Sequence, residues 1–459
     1  MNKSVCIIGG GISGLCTAYH LQKRGADVTV VEKASEVGGN IRSTREAGYL
    51  VEIGPNSLLI SPECYALIRE LGLEAQIVTA NPSAKTRYIL KNGRLSALPT
   101  GPFDLFTTKT FSTKAKLRLF KEPFVGKGIA EDESVADFFR RRLGSEIVEY
   151  AVDPFISGIF AGNPEKLSIR NAFPKLFAME RDHGGLLKGG IRTPKKNSAN
   201  GSVPKEITRT ISFKDGMQTL PYAIAKTLGS NVRTNVTVND IRRTENGRFI
   251  LETEGSTLDS REFDAVVISS PAHVAASILN GIDRPLAEDL SGIYYPPVAV
   301  VSAAFNSSDL SVPLEGFGFL VPRSENRRIL GCLWPSAVFD GRAPKGVGLT
   351  TTFIGGSRQA ELVDLSDTEL IDLAMNEIAS ILGITAEPLF IKLKKWPRAI
   401  PQYNLGYESV INAIERFHAA NPGMYLSGNY YNGISVGECI KNGAKTANAV
   451  AQFLQIDNE

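Results

Sequence analysis

The sequence predicts an α/β fold: a discontinuous Rossmann-type nucleotide-binding domain carrying an inserted mixed-sheet domain and an inserted helical domain. Three observations predict it. The chain opens on a short apolar strand, a glycine-rich turn and a helix, "SVCIIGGGISGLCTAYHL". A second strand–turn–helix, "DAVVISSPAHVAASIL", returns in mid-chain. A third glycine-rich turn, "LSGNYYNGISVGECIKNG", lies more than four hundred residues from the start. At 459 residues the chain exceeds one core, so two or more domains are expected.

Composition narrows the class. Apolar residues make up 43% and charged residues 22%, as in an ordinary globular protein. A net charge of +3 gives no argument for nucleic acid. The five cysteines are scattered without CxxC or Cys/His clusters, which disfavours structural zinc and a disulfide scaffold. No apolar run approaches the ~20 residues of a membrane span, and no signal-peptide pattern is present. A cytoplasmic location is expected, with peripheral membrane contact left open.

In the first unit, "SVCIIGG" reads as a buried strand and "GISGLCTAYHLQKRG" as a helix ending at Gly25. "ADVTVVEK" is a second strand finishing at Glu32, with Lys33 beyond it. Gly9, Gly11 and Gly14 have GxGxxG spacing, enclosing Gly10, Ile12 and Ser13. The first permits the tight turn, the second lets a pyrophosphate approach, and the third lets helix and strand pack closely. The helix N-terminus offers N–H groups to phosphate. Glu32 can accept hydrogen bonds from both ribose hydroxyls of an adenosine. The plainer alternative is a glycine-rich packing turn. Gly38–Gly39, Arg42 and the turn Gly54–Pro55–Asn56–Ser57 follow at once. A simple NAD dehydrogenase has no need of them, whereas a protein wrapping FAD along its length does. GG followed by Arg resembles the amine oxidase and desaturase flavoenzymes; an ordinary surface charge is the alternative for Arg42.

Residues 84–100 read as a hairpin turning at Asn92–Gly93. Residues 101–190 look helical, with "SVADFFRRRLGSEIVEYAV" the clearest amphipathic run and Ser134 its N-cap. Residues 184–210 are Gly-, Ser- and Lys-rich and read as a loop. Residues 292–360 alternate like a sheet, and 366–383 form a helix capped by Ser366 or Asp367. The expected division is 1–80, 205–275 and 385–459 for FAD, 81–100 and 276–384 for a substrate sheet, and 101–204 for a helical domain. Residues 109–128 hold six lysines or arginines against Glu122, interleaved with Phe111, Leu117, Leu119, Phe120 and Phe124. Such a surface suits an anionic membrane face or a solvated helix over a pocket.

"EIGPNSL", "TRYILKNGRLSALPTGP", "DPFISGIFAGNPEKLSI", "SFKDGMQTLPYAI", "GFGFLVP" and "AIPQYNLGY" resemble the protoporphyrinogen oxidase family, the oxygen-dependent FAD enzymes of haem and chlorophyll synthesis. The likeness runs from the first strand to the last helix. It implies that Gly9–Gly14 hold the pyrophosphate and Glu32 the ribose. It places Gly39, Arg42 and Gly54 to Ser57 near the ribityl chain and flavin, and Val238 at the adenine. Trp396 would lie near the isoalloxazine, and Gly428 with Ile434, Ser435 and Val436 would run under its pyrimidine end. For substrate it implies Arg87 on a propionate, the Gly158 backbone against the macrocycle, and Leu320 and Trp334 as looser apolar walls.

The chemistry implied is hydride removal from a porphyrinogen methylene bridge, repeated three times, with electrons passing through FAD to oxygen. That needs orientation more than a strong base. No catalytic side chain is assigned, and the four histidines form no triad or ligand pattern. No GxSxG or HExxH motif appears. Partners expected are porphyrinogen and oxygen and no nucleic acid. Membrane contact through 101–130 and a homodimer are left open. The alternatives are a coproporphyrinogen III oxidase, an amine oxidase or carotenoid desaturase, and a binding protein of the same fold without redox work.

Overall fold

The computed structural model describes residues 3–192, 210–255 and 261–456. Its first layer is a five-stranded parallel sheet in the order Val232–Arg233, Asp27–Val31, Ser4–Ile8, Ala265–Ile268 and Met424–Leu426. These strands are almost wholly apolar because both faces are covered, as parallel sheets require. The first helix, Ile12–Gln22, lies against the last, Val436–Leu454. They meet at Gly443, where a Cβ would stand 2.8 Å from the Ser13 carbonyl oxygen. Thr17 Oγ1 donates to the Gly443 carbonyl at 3.2 Å.

The second layer is a seven-stranded mixed sheet. Its order is Phe390–Trp396, Val298–Asn306, Val347–Gly355, Gly331–Leu333, Gly318–Leu320, Tyr88–Lys91 and Arg94–Ala97. The last two strands are the hairpin, with left-handed Asn92 and Gly93 at its turn. One face packs on the helix Asp367–Leu382, which Ser366 opens with a reciprocal capping box to Glu369. Phe390–Trp396 pairs with Val298–Asn306 in this sheet, although the sequence reading assigned it to the FAD segments. The helix Arg284–Ser291, expected with the sheet, packs instead on Tyr407–Ala420.

Between the layers lies the helical insertion. Ser134 caps Val135–Leu143 through the Asp137 N–H at 3.0 Å. Leu186–Arg192 is helical where a loop was expected: the buried Glu122 carboxylate accepts from the Leu186 and Leu187 N–H groups and so caps its first turn. Residues 193–209 of that expected loop lie outside the described residues. Among the described residues no helix is long and apolar enough to cross a membrane.

Candidate functional site

The opening glycines leave no room for side chains. A Cβ at Gly14 would lie 2.2 Å from the Gly9 carbonyl oxygen, and one at Gly9 would lie 2.8 Å from that of Ser269. At Gly11 a Cβ would meet nothing within 4 Å, so space opens there in front of the first helix. That helix has no side-chain cap and no acid in its first turn, which leaves its N–H groups free for phosphate. Gly10, Ile12 and Ser13 lie within this turn.

Glu32 stands above the turn, with Lys33 exposed beside it. Its carboxylate accepts from the Gly10 N–H at 2.7 Å and the Ala34 N–H at 2.8 Å. Two backbone donors fix the group and leave acceptor capacity for ribose hydroxyls. The Val236 N–H donates to the Glu32 carbonyl, so Val238 arrives beside the acid, next to a register shift in its strand.

Gly39 approaches Gly11, and Arg42 Nε donates to the Gly39 carbonyl at 3.2 Å. The Ile53 N–H bonds the Arg42 carbonyl, which brings Gly54, Pro55, Asn56 and Ser57 to the same edge. A Cβ at Gly54 would lie 1.8 Å from the Asn40 carbonyl oxygen. Trp396 Nε1 donates to the Ile53 carbonyl at 2.9 Å and pins this loop to the seven-stranded sheet.

The late glycine turn arrives from the neighbouring strand end. Gly428 and Gly433 have φ values of 150° and 142°. Tyr403 Oη donates to the Asn429 carbonyl at 2.7 Å and accepts from the Gly433 N–H at 3.0 Å. Ile434, Ser435 and Val436 follow, and Ser435 caps the last helix through the Glu438 N–H. Glu438 itself occupies the first turn, so this helix end is less electropositive than the sequence suggests.

The edge strand leading to Gly428 carries a pH-sensitive tie. His418 Nε2 accepts from the Leu426 N–H at 2.9 Å, which requires a neutral ring, and burial pushes its pKa down to about 4. The unfolded chain binds a proton near pH 6.5 and the folded one does not. Stability from this group is therefore full above that pH and falls as pH drops toward 4, by on the order of 3 kcal/mol in all. Urea midpoints for wild type should fall more steeply below neutrality than those of His418→Gln. Parallel profiles would contradict the assignment.

The sheet face turned away from the Asp367–Leu382 helix, opposed by the helix Asp153–Phe160, is the candidate chamber face. Strand register aligns Leu320, Gly331, Phe353, Val300 and Lys394 in one rank and Leu333, Thr351 and Ser302 in the next. Leu320, Leu333 and Phe353 are half-buried. Gly158, on the helix Asp153–Phe160, faces them: a Cβ there would lie 2.3 Å from Leu320 Cδ2. Arg87 is exposed at the hairpin edge, its guanidinium 5.0 Å from the Phe317 ring centroid. No carboxylate pairs with it among the described residues. A small cavity lined by Asn56, Ser57, Phe317 and Leu333 joins the loop to this edge.

Trp334 is a correction. It is 1% exposed and packs on Tyr88 and Phe319, on the opposite face from the chamber. Strand alternation puts its neighbour Leu333 on the chamber face instead. Leu333 and Phe353 were not among the sequence candidates. Their signal lay in the strand pairing, which a single segment does not carry.

Buried polar atoms beside the two glycine turns favour a dinucleotide there. Asn56 Oδ1, Ser269 Oγ, Ser270 Oγ and Tyr430 Oη are buried without a protein partner. Ser269 and Ser270 run between Gly9 and Gly428, so these atoms border the strip that joins the two glycine turns. An extended ligand with polar atoms along its length fits them.

Fold and site together define a dinucleotide-binding flavoprotein with a second, seven-stranded mixed sheet. The chain matches the flavin-containing amine oxidoreductase model over residues 12–451, and it belongs to that family; its cofactor is FAD. It is 35% identical to protoporphyrinogen oxidase 2 of Arabidopsis thaliana, across 99% of this chain and 94% of the relative. It is 29% identical to coproporphyrinogen III oxidase of Bacillus subtilis, across 98% of both. A crystal structure provisionally assigned as a protoporphyrinogen oxidase, from Exiguobacterium sp. 255-15, superposes with a TM-score of 0.82 at 26% identity, covering 99% of both chains.

Proposed function

We propose that the protein oxidises protoporphyrinogen IX to protoporphyrin IX, with oxygen as electron acceptor and hydrogen peroxide as coproduct. The observation that carries the reading is a flat apolar wall, Leu320, Leu333 and Phe353, bordered by an arginine without a carboxylate partner among the described residues. An apolar macrocycle with carboxylate arms needs both. Relatives bearing the protoporphyrinogen oxidase name support it.

In this reading Gly9 to Gly14 hold the pyrophosphate, Glu32 the ribose and the Val238 backbone the adenine. Gly39, Arg42, Gly54 to Ser57, Trp396, Gly428 and Ile434 to Val436 surround the flavin. When bound, FAD supplies the hydride acceptor. Arg87 grips a propionate through its planar fork. Gly158 admits the macrocycle edge, and the apolar wall lays the methylene bridge against the flavin loop while excluding water. Of the three protons that leave beside the three hydrides, two come from pyrrole nitrogens and one from the fourth bridge carbon, and they pass to solvent, since no side-chain base is assigned.

A second reading, coproporphyrinogen III, is supported by the Bacillus subtilis relative and by Lys394. Lys394 shares the chamber rank, sits 4.9 Å over the Trp396 ring, and has no carboxylate partner among the described residues. An added cation suits a substrate with four carboxylates. Growth of porphyrin fluorescence on the two substrates decides between them. The first reading expects the higher kcat/KM on protoporphyrinogen IX, and fluorescence from neither would sink both.

The helical insertion presents Phe124, 89% exposed, and a fully exposed Ile129 beside the basic helix Thr113–Phe120. Phe111 from the same stretch is core. This surface suits peripheral contact with an anionic bilayer. Co-sedimentation with anionic vesicles should fall at least about fivefold for Phe124→Glu with Ile129→Glu. Equal sedimentation would remove the contact.

A further inference from the structure

One guanidinium ties the Gly158 helix to the chain just beyond Leu320. Arg358 follows the strand Val347–Gly355 by a short turn, and its side chain is 6% exposed. Its Nη1 donates to the Val321 carbonyl at 2.8 Å, next to Leu320. Its Nη2 donates to Ser157 Oγ at 2.8 Å, next to Gly158, and to Asp153 Oδ2 at 2.9 Å. Asp153 Oδ2 also accepts from the Arg323 N–H at 3.1 Å, on the segment leaving that strand. The neighbouring Ser357 N–H donates to the Ala161 carbonyl at 2.7 Å. The turn after Phe353 therefore holds the Asp153–Phe160 helix at both ends. Where Gly158 meets Leu320, a single added carbon would overlap Leu320 Cδ2.

We propose that Arg358 is a positioning residue for substrate: it fixes the gap between the Gly158 helix and the Leu320 strand, and so the width of the chamber where the macrocycle enters. It acts through Ser157, Asp153 and the Val321 carbonyl and does not touch substrate. A planar head with donors in several directions can serve three acceptors on two elements; an ammonium serves them poorly. Asp153 supplies the opposing charge that lets the guanidinium stay ionised while buried. The proposal rests on the porphyrinogen reading.

Two variants test it. Arg358→Lys keeps a charge opposite Asp153 but loses the fork. Ser157→Ala removes the bond from Arg358 to mid-helix, together with the Ser157 Oγ bond to the Asp153 carbonyl, and leaves the Asp153 ion pair at the helix start intact. For each, KM and kcat on protoporphyrinogen IX are measured, with the dissociation constant of protoporphyrin IX by fluorescence titration, flavin per chain, and melting temperature. The expected result is a KM and a porphyrin dissociation constant raised about five- to tenfold in Arg358→Lys and about threefold in Ser157→Ala. Flavin content and kcat should stay within about twofold. An unchanged KM and porphyrin affinity, with only the melting temperature lowered, would overturn it. Should Arg358→Lys not fold, Ser157→Ala alone decides. Failure of the porphyrinogen reading looks different: wild type would keep its flavin yet neither bind protoporphyrin IX nor turn over, and the proposal would fall with it.

Discussion

Gly54→Ala is expected to purify with less than about a tenth of the flavin that wild type retains. The added carbon would sit 1.8 Å from the Asn40 carbonyl oxygen, and ordinary contact begins at 3.4 Å, so about 1.6 Å of retreat is required. Neither side yields easily. Asn40 is flanked by Ile41, whose N–H bonds the Gly38 carbonyl, and Gly38 in turn donates to Gly10 of the phosphate turn. The loop beyond Gly54 is tied through Ile53 to Arg42 and to Trp396. Retreat would break one of these ties and lift Asn56 and Ser57 away from the proposed flavin site. Overpacking of this kind costs about 1–3 kcal/mol, which a chain of this size can bear while remaining folded. Gly281→Ala is the control: its Cβ would meet nothing within 4 Å, and it lies in an exposed turn without a left-handed φ. Flavin absorbance after dialysis reads the result. Retention equal to wild type in Gly54→Ala would remove the loop from the cofactor site.

Arg87→Ala is expected to raise KM for the porphyrinogen about 10- to 100-fold, the range of a lost charge-assisted hydrogen-bond pair worth about 1.5–3 kcal/mol. Flavin content should not change. The side chain is exposed and lies against the Phe317 ring, so folding stability should move by no more than about 0.5 kcal/mol. Arg87→Lys should fall between the two, since an ammonium meets a carboxylate as a point charge. Rising salt should weaken wild type more than Arg87→Ala. A KM that stays at the wild-type value would take Arg87 out of the substrate site.

The nucleotide half of the fold was legible because its constraints are local. Gly9, Gly11, Gly14 and Glu32 lie in one strand–turn–helix–strand run; Gly14 packs on the Gly9 carbonyl and Glu32 takes the Gly10 N–H within that run, while Gly11 leaves open space and Gly9 makes room for Ser269. The hairpin at Asn92–Gly93 and the cap at Ser134 were legible for the same reason. What escaped reading depends on pairing between distant segments. Which of Leu333 and Trp334 faces the chamber is set by register against Gly318 and Thr351. Phe390–Trp396 joins the second sheet through Val298–Asn306, a partner nearly a hundred residues earlier. Leu186–Arg192 looked like a loop by composition and is held as a helix by Glu122, more than sixty residues away. Arg358 and Asp153 are 205 residues apart, and nothing near either one announces the other.

The position of Met424–Leu426 bears on how the chain is made. It forms the last strand of a sheet whose first strand is Ser4–Ile8, and it pairs with Ala265–Ile268. At about 5–20 residues per second, the ribosome needs on the order of 20–80 s to deliver it after the first strand has emerged. Throughout that interval Cys16 and Leu15 lack the cover of the final helix, and for its last ~8–30 s Ala265–Ile268 has an unpaired edge. The cofactor module therefore closes only once Met424–Leu426 and the helix after it have been made, through contacts of high sequence separation, and its assembly is slow and exposed to mispairing.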